Sequence, residues 1–309
     1  PSQYKLQYIS SSFSVLLLLA LLINYYVRSA DKAEKILRST NLELAEKNIQ
    51  IEQTLLERNH ALQQLNQELE EAADYVRTIL PPPITVGTIR TDWRFVPSTS
   101  LGGDAFGYHW LDRDHFAFYL IDVSDHGVGA ALLSVSVINA LRSQSLPDAD
   151  FNDPESVLKC LNAAFPSEQN NDMFFTMWYG VYNKPSRELS YASAGHPPAL
   201  LLGGSDSPDS KPVLLRTANY IIGGIPNADY PKSKHTIGRA TTIYLFSDGV
   251  YEVEKPDGSM WRFNEFSEFM SRNEADRRSS MDHLYNNGLI LSQKDQFEDD
   301  FTILEIAFG

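Results

Sequence analysis

The sequence predicts an α+β chain: a C-terminal domain of short strands and a few long helices, behind an N-terminal region that is helical throughout. Three observations carry this reading. An uncharged apolar run lies near the start, a seven-residue repeat free of glycine and proline follows it, and strand-like runs separated by turn residues fill the rest. The 309 residues, 43% of them apolar, allow a sizeable core and exclude a disordered or collagen-like chain. The single cysteine, Cys160, excludes an internal disulfide framework and a thiolate zinc cluster. A net charge of −14 argues against nucleic acid as a partner, since phosphate backbones are held by clustered Lys and Arg. Residues 84–309 hold 30 acidic and 18 basic side chains and so carry −12 of that charge. Such a domain either repels anions or recruits cations.

Residues 8–27 pass without a charge. At about 1.5 Å per residue they span about 30 Å, one hydrocarbon thickness, and are read as a transmembrane helix. Tyr8, Tyr25 and Tyr26 sit where interfacial aromatics sit, and Arg28, Lys32, Lys35 and Arg38 follow at once. By the positive-inside rule the rest of the chain is expected on the cytoplasmic side of the inner membrane. The alternatives are a signal-peptide core, against which the lack of an Ala-x-Ala cleavage pattern counts, and a helix buried in an upstream domain. Pro1 in place of an initiator methionine leads us to expect a piece of a longer protein.

Residues 33–80 repeat every seven positions. One seam runs Leu37, Leu44, Ile51, Arg58, Leu65, Ala72, Ile79; the other runs Asn41, Asn48, Leu55, Leu62, Leu69, Val76. The period predicts a left-handed coiled-coil signalling helix, and asparagines in the seam select register and a homodimer at some cost in stability. Pro81-Pro82-Pro83 ends the helix, because proline lacks the N–H and clashes with the preceding turn.

Beyond Pro83, strands are expected at 88–96, 115–123, 174–182, 188–193, 199–202, 213–215, 241–247 and 301–308. Helices are expected at 128–146, 154–164 and 264–272. Adjoining strand runs from Phe174 onward predict a largely antiparallel sheet. Gly203-Gly204-Ser205-Asp206-Ser207-Pro208 and Asp257-Gly258 read as turns.

Four acidic points share one pattern, an Asp at the edge of an apolar run beside small residues: Asp104, Asp122, Asp248 and Asp299. Any one alone reads as a turn or cap. Four in one domain, brought together by strand ends, stay ionised only around a cation. Hard oxygen donors without Cys or a His cluster favour Mg²⁺ or Mn²⁺ over Zn²⁺, and two such ions suit phosphate ester hydrolysis. Spacing alone does not establish that the four converge.

The order Gly-Gly-Asp (102–104), Asp-Val-Ser-x-His-Gly (122–127), Ala-Gly-His-Pro-Pro (194–198), Ser-Asp-Gly-Val (247–250) and Asp-Asp-x-Thr (299–302) resembles one family. It is the bacterial PPM-type serine/threonine phosphatases of the stage II sporulation protein E and sigma-factor-regulator class. The resemblance covers nearly all of residues 75–309, and the phosphatase domain is expected at 84–309. It implies an α-β-β-α sandwich of two largely antiparallel sheets flanked by helices, with a two-ion Mn²⁺/Mg²⁺ centre at one end. Matched motif by motif, it implies Asp104, Asp122, Asp248, Asp299 and the backbone carbonyl of Val123 as metal ligands. The nucleophile it implies is a metal-bound water, so no side chain is assigned that role, and Asp300 is a candidate for supporting the ligands from behind. The substrate class it implies is a phosphoserine or phosphothreonine regulatory protein, such as an anti-sigma-factor antagonist.

Departures from the family pattern leave points open. Asp125 stands where the family usually has Gly, so it competes with Asp122 as ligand; the strand end Leu120-Ile121 favours Asp122. His126 reads as helix-start packing or as a general acid, with packing preferred, and His196 reads as a turn residue. Two rival functions compete with this reading. Gly102-Gly103-Asp104-Ala105-Phe106 differs by one letter from a diguanylate cyclase signature, though the other four motifs are then unexplained. A pseudophosphatase that binds without turnover has no reason to retain four carboxylates.

Overall fold

The computed structural model describes residues 2–203, 212–217, 219–272 and 280–309. Most of the turn expected at 203–208 lies outside the described residues. Contacts divide the chain into two units, residues 1–67 and 68–309. Helix α1, Ser2–Ile79, runs through the whole N-terminal region without a break. The described side chains from Phe13 to Gln67 are all exposed, the leucines of the apolar run and the heptad-seam positions from Leu37 to Leu65 among them. It is the one described helix long and apolar enough to cross a membrane.

The second unit contains β1 (Ile89–Val96), β2 (Ala105–Trp110), β3 (His115–Val123), α2 (Val128–Arg142) and α3 (Pro154–Ala164). Then come β4 (Phe175–Asn183), β5 (Glu188–Ala194), β6 (Ala199–Gly203), β7 (Val213–Leu215), β8 (Ser233–Thr236) and β9 (Thr241–Phe246). The short pair β10 (Val253–Glu254) and β11 (Met260–Trp261), α4 (Phe263–Arg272), α5 (Ser280–Ser292) and β12 (Phe301–Phe308) close the chain. Two five-stranded sheets form, ordered β1-β12-β9-β6-β7 and β2-β3-β4-β5-β8, and every pairing between their neighbouring strands is antiparallel.

Alternation along the strands explains the layering. On β9, Ile243 and Leu245 join the large core between the sheets, whereas Tyr244 and Phe246 join a second cluster with Phe266 of α4 and Leu284 of α5. On β3, Phe118 faces the other sheet, stacking on Trp178 at 5.5 Å and meeting Phe308 at 6.4 Å between ring centroids. Its neighbours on the opposite face are buried too, so the strand reads as one continuous apolar run. The expected α-β-β-α sandwich is the observed architecture.

Sequence boundaries differ where local chemistry intervenes. Helix α2 stops at Arg142 rather than 146, because Gln144 turns left-handed at φ 50 and the Ser145 amide bonds back to the Ala140 carbonyl. Helix α3 starts where Asp153 accepts the Glu155 amide and Pro154 opens the first turn. Strands β2, β8, β10 and β11 and helix α5 were not foreseen.

The last turns of α1 belong to the second unit. Leu69, Ala73 and Val76 pack with Leu101 and with Ala131 of α2. Where the helix ends, Arg142 donates to the Ile79 carbonyl at 2.8 Å, Trp93 Nε1 to Pro81 at 3.0 Å and the Tyr108 hydroxyl to Pro82 at 2.8 Å. Pro81 and Pro82 supply free carbonyls without a competing N–H, which suits them to this anchoring.

Candidate metal centre

Neighbouring strands deliver acidic residues to one end of the sandwich. Strand β3 ends at Val123, with Asp122 opposite Thr176 of β4. The chain then makes a tight loop: the Ser124 amide bonds to Phe174, the Asp125 amide to the Val123 carbonyl at 2.8 Å, and the Gly127 amide to Leu101 at 2.9 Å. Gly127 starts α2 with φ 90 and ψ −165, a conformation that only glycine adopts without strain. In the other sheet β9 and β12 are neighbours, Phe246 facing Ile303, so Asp248 just past one strand and Asp299 just before the other emerge side by side.

Asp122, Val123, Asp125, His126, Asp248, Asp299 and Asp300 line a single cleft of ≈ 660 Å³. Asp104 is not in that lining. It is 3% exposed, and its carboxylate sits within electrostatic reach of Asp122 and Asp300. Four of the expected ligand residues thus share the cleft, Asp104 lies buried beside it, and both Asp125 and Asp122 face it. His196 lies apart, buried at the turn between β5 and β6 with Nδ1 bonded to the Pro197 carbonyl; burial pushes its imidazole down to about 4.

Asp300 ties the loops together. Its Oδ1 accepts from the Ser98 amide at 2.8 Å and hydroxyl at 2.9 Å, and its Oδ2 from the Asp104 amide at 3.2 Å. Its backbone carbonyl accepts from the Ser247 hydroxyl at 3.0 Å. Two glycines allow this close approach. A Cβ on Gly102 would stand 2.2 Å from Asp300 Oδ2, and one on Gly249 would stand 2.3 Å from the Asp300 carbonyl oxygen. Backbone cannot yield as a side chain can, so Gly249→Ala should destabilise the domain by about 1–3 kcal/mol. Thermal unfolding followed by circular dichroism checks it; an unchanged midpoint contradicts the packing described.

The electrostatics ask for a cation. Burial, and then the charges of Asp122 and Asp300, hold the Asp104 carboxyl well above the usual carboxylate range. Burial, reinforced by Asp248, Asp299 and Asp300, pushes Asp122 up to about 8. Asp248 is raised by burial, by Asp299 and by Glu252. Asp104 Oδ2 is buried without a hydrogen-bond partner, a costly placement for an anionic oxygen unless a positive charge meets it. Among the described residues no group of three or more His, Cys, Asp or Glu side chains is drawn together closely enough to hold an ion as it stands. The donor chemistry and the orphaned oxygen nevertheless fit a hard divalent cation.

Sequence reasoning missed Thr176, Glu252, Glu254, Lys294 and Glu298, which also line the cleft. Glu252 follows Asp248 by one turn of chain, and its amide bonds to the Asp248 carbonyl at 2.8 Å, so proximity to that motif was a usable signal. The others lie on segments with no motif.

The model of the stage II sporulation protein E (SpoIIE) family matches residues 112–309. The phosphoserine phosphatase RsbU of Bacillus subtilis (strain 168) is 29% identical over 252 residues, covering 78% of this chain and 70% of that protein. The phosphoserine phosphatase RsbP of the same organism is 25% identical over 201 residues, 64% of this chain but only 47% of RsbP. Among solved structures, the SiaA-PP2C domain of Pseudomonas aeruginosa superposes with a TM-score of 0.69 at 19% identity, covering 81% of this chain and 99% of that domain.

Proposed function

Because this chain belongs to the stage II sporulation protein E family of PP2C-type serine phosphatases, we propose that its acidic cleft is the site of metal-dependent hydrolysis of phosphoserine or phosphothreonine on a regulatory protein. The observation that carries this is the convergence of Asp122, Asp248 and Asp299 from three strand ends on one cleft, with Asp104 buried behind them. In this reading Asp104, Asp122, Asp248, Asp299 and the Val123 carbonyl hold two Mn²⁺ or Mg²⁺ ions. When bound, such ions supply Lewis acidity toward the phosphoryl oxygens and an activated water. The protein supplies the frame. Asp300 orients Asp104 through its amide, Gly102 and Gly249 let the loops close on one another, and Thr176 continues the wall beside Asp122.

Membership in the family leaves the cyclase reading without support. A pseudophosphatase is the remaining rival, and turnover decides it. The full chain in detergent should release phosphate from an aryl phosphate and from a phosphoserine protein only with Mn²⁺ or Mg²⁺ present. Stoichiometric binding without release would overturn the reading in favour of the pseudophosphatase. A phosphorylated anti-sigma-factor antagonist is the substrate class to test first, given the resemblance to RsbU.

The N-terminal region completes the proposal. Residues 8–27 anchor the chain in the inner membrane, since exposed leucines from Leu16 to Leu22 need a non-aqueous surrounding. Residues 33–80 pair with a second copy through the seam positions exposed from Leu37 to Leu65, leaving residues 84–309 to work as a cytoplasmic phosphatase domain. A change of helix packing at 72–80 biases the site, because Leu101 both packs on Ala73 and accepts the Gly127 amide at the cleft loop. Cysteines placed at Leu55 and Leu62 in a Cys160→Ser background should each give a disulfide-linked dimer. Active enzyme without such crosslinks sinks the pairing.

A further inference from the structure

Resting on that phosphatase reading, we infer that Lys294 recognises the phosphoryl group, its ammonium passing from Glu298 to the substrate's phosphate oxygens when substrate enters. Eight carboxylates line the cleft, and among the described residues Lys294 is the one Lys or Arg side chain there. Two divalent ions would offset four of the eight negative charges. A phosphoserine then brings a charge of about −1.5 to −2 into a site that is still acidic. A protein cation is therefore needed to make that approach favourable, and no other described lysine or arginine borders the cleft.

The placement of Lys294 suits the task. Helix α5 ends at Ser292, Gln293 turns the chain left-handed at φ 53, and the Lys294 amide is fixed on the Ser292 hydroxyl at 3.3 Å. The backbone is thereby held at the cleft wall while four methylenes leave the ammonium free to swing. Its present partner is Glu298 Oε1 at 2.5 Å, a residue adjoining Asp299. The two side chains are 41% and 69% exposed, and ion pairs so exposed are weak and readily exchanged. A dianionic phosphate beside the same ammonium offers more charge than one carboxylate, so Glu298 acts as a displaceable placeholder.

Lys294→Ala in the full chain should raise KM for a phosphoserine peptide about tenfold or more at saturating Mn²⁺, with kcat changed little. Its dissociation constant for inorganic phosphate, from calorimetry, should rise in parallel, while Mn²⁺ affinity stays as in the parent. Lys294→Arg should recover most of the loss, and Glu298→Gln should lower KM by freeing the ammonium. Unchanged KM and phosphate affinity in Lys294→Ala overturn the assignment, as does a fall in kcat at constant KM. A parent protein that binds phosphate without hydrolysing it defeats the phosphatase reading alone, because the phosphate titration of the variants still decides Lys294.

Discussion

Asp248→Asn should lower Mn²⁺-dependent phosphate release by about 10³-fold or more, and Asp104→Ala should do the same. The substitution at 248 is nearly isosteric and spares the backbone bonds from Tyr251 and Glu252 to the Asp248 carbonyl, so the fold around it persists. What disappears is one full negative charge among the oxygens that face the cleft. Asp104 acts from a different place, buried behind the wall and fixed through its amide to Asp300, so loss at both positions points to one shared centre. His126→Ala is the contrast. His126 is exposed at the cleft edge, its amide bonds to Asp125 Oδ1 at 2.8 Å, and removing the ring should leave measurable turnover. Phosphate release from an aryl phosphate by the three variants decides the matter: full activity in Asp248→Asn ends the two-ion proposal, and none in His126→Ala makes that ring essential.

The second large effect is on stability in chelator. Asp122 has a folded value of about 8 against an ordinary value near 3.8, and Asp104 and Asp248 are raised in the same direction. Between those two pH values the folded protein keeps a proton that the unfolded chain has released. Stability of the metal-free domain therefore falls as pH rises from about 4 to about 8, then levels off. At about 1.4 kcal/mol per pKa unit, Asp122 alone makes this several kcal/mol. Near-ultraviolet circular dichroism follows it through the buried Trp178. Asp122→Asn should remove that residue's share of the slope, leaving the part due to Asp104 and Asp248, and raise the midpoint at pH 8. Mn²⁺ should do likewise, by about 2.7 kcal/mol at a hundredfold excess over its dissociation constant. A metal-free midpoint that climbs between pH 5 and 8 would contradict the crowding of these carboxylates.

The sequence made some elements plain and hid others for reasons that the structure supplies. Strands β3, β7 and β12 were readable to the residue because apolar and β-branched or aromatic runs dominate them. Strand β2 was hidden by Gly107, which breaks the pattern of a strand. It is there because the Tyr119 ring of the partner strand lies over it; a Cβ would stand 2.5 Å from that ring. Helix α5 was hidden by Asn286-Asn287-Gly288, a turn-like triplet in sequence, yet Gly288 gives room for the Phe297 ring. Pairing of β1 with β12, more than two hundred positions away, leaves no trace in local pattern. The candidate ligands were legible because each stands in a short motif. Lys294 and Glu298 were not, because their surroundings carry no motif and their nearness to Asp122 depends on the tertiary fold.

Asp300 adjoins a strand of one sheet and grips the amide that leads into a strand of the other. The sandwich is thus riveted at its reactive end. Prying the layers apart there must dismantle the acidic cluster first, so partial melting cannot leave a leaky hydrolase behind. Amide protons of Ser98 and Asp104, both fastened to this one carboxylate, should exchange with solvent together, as a single latch.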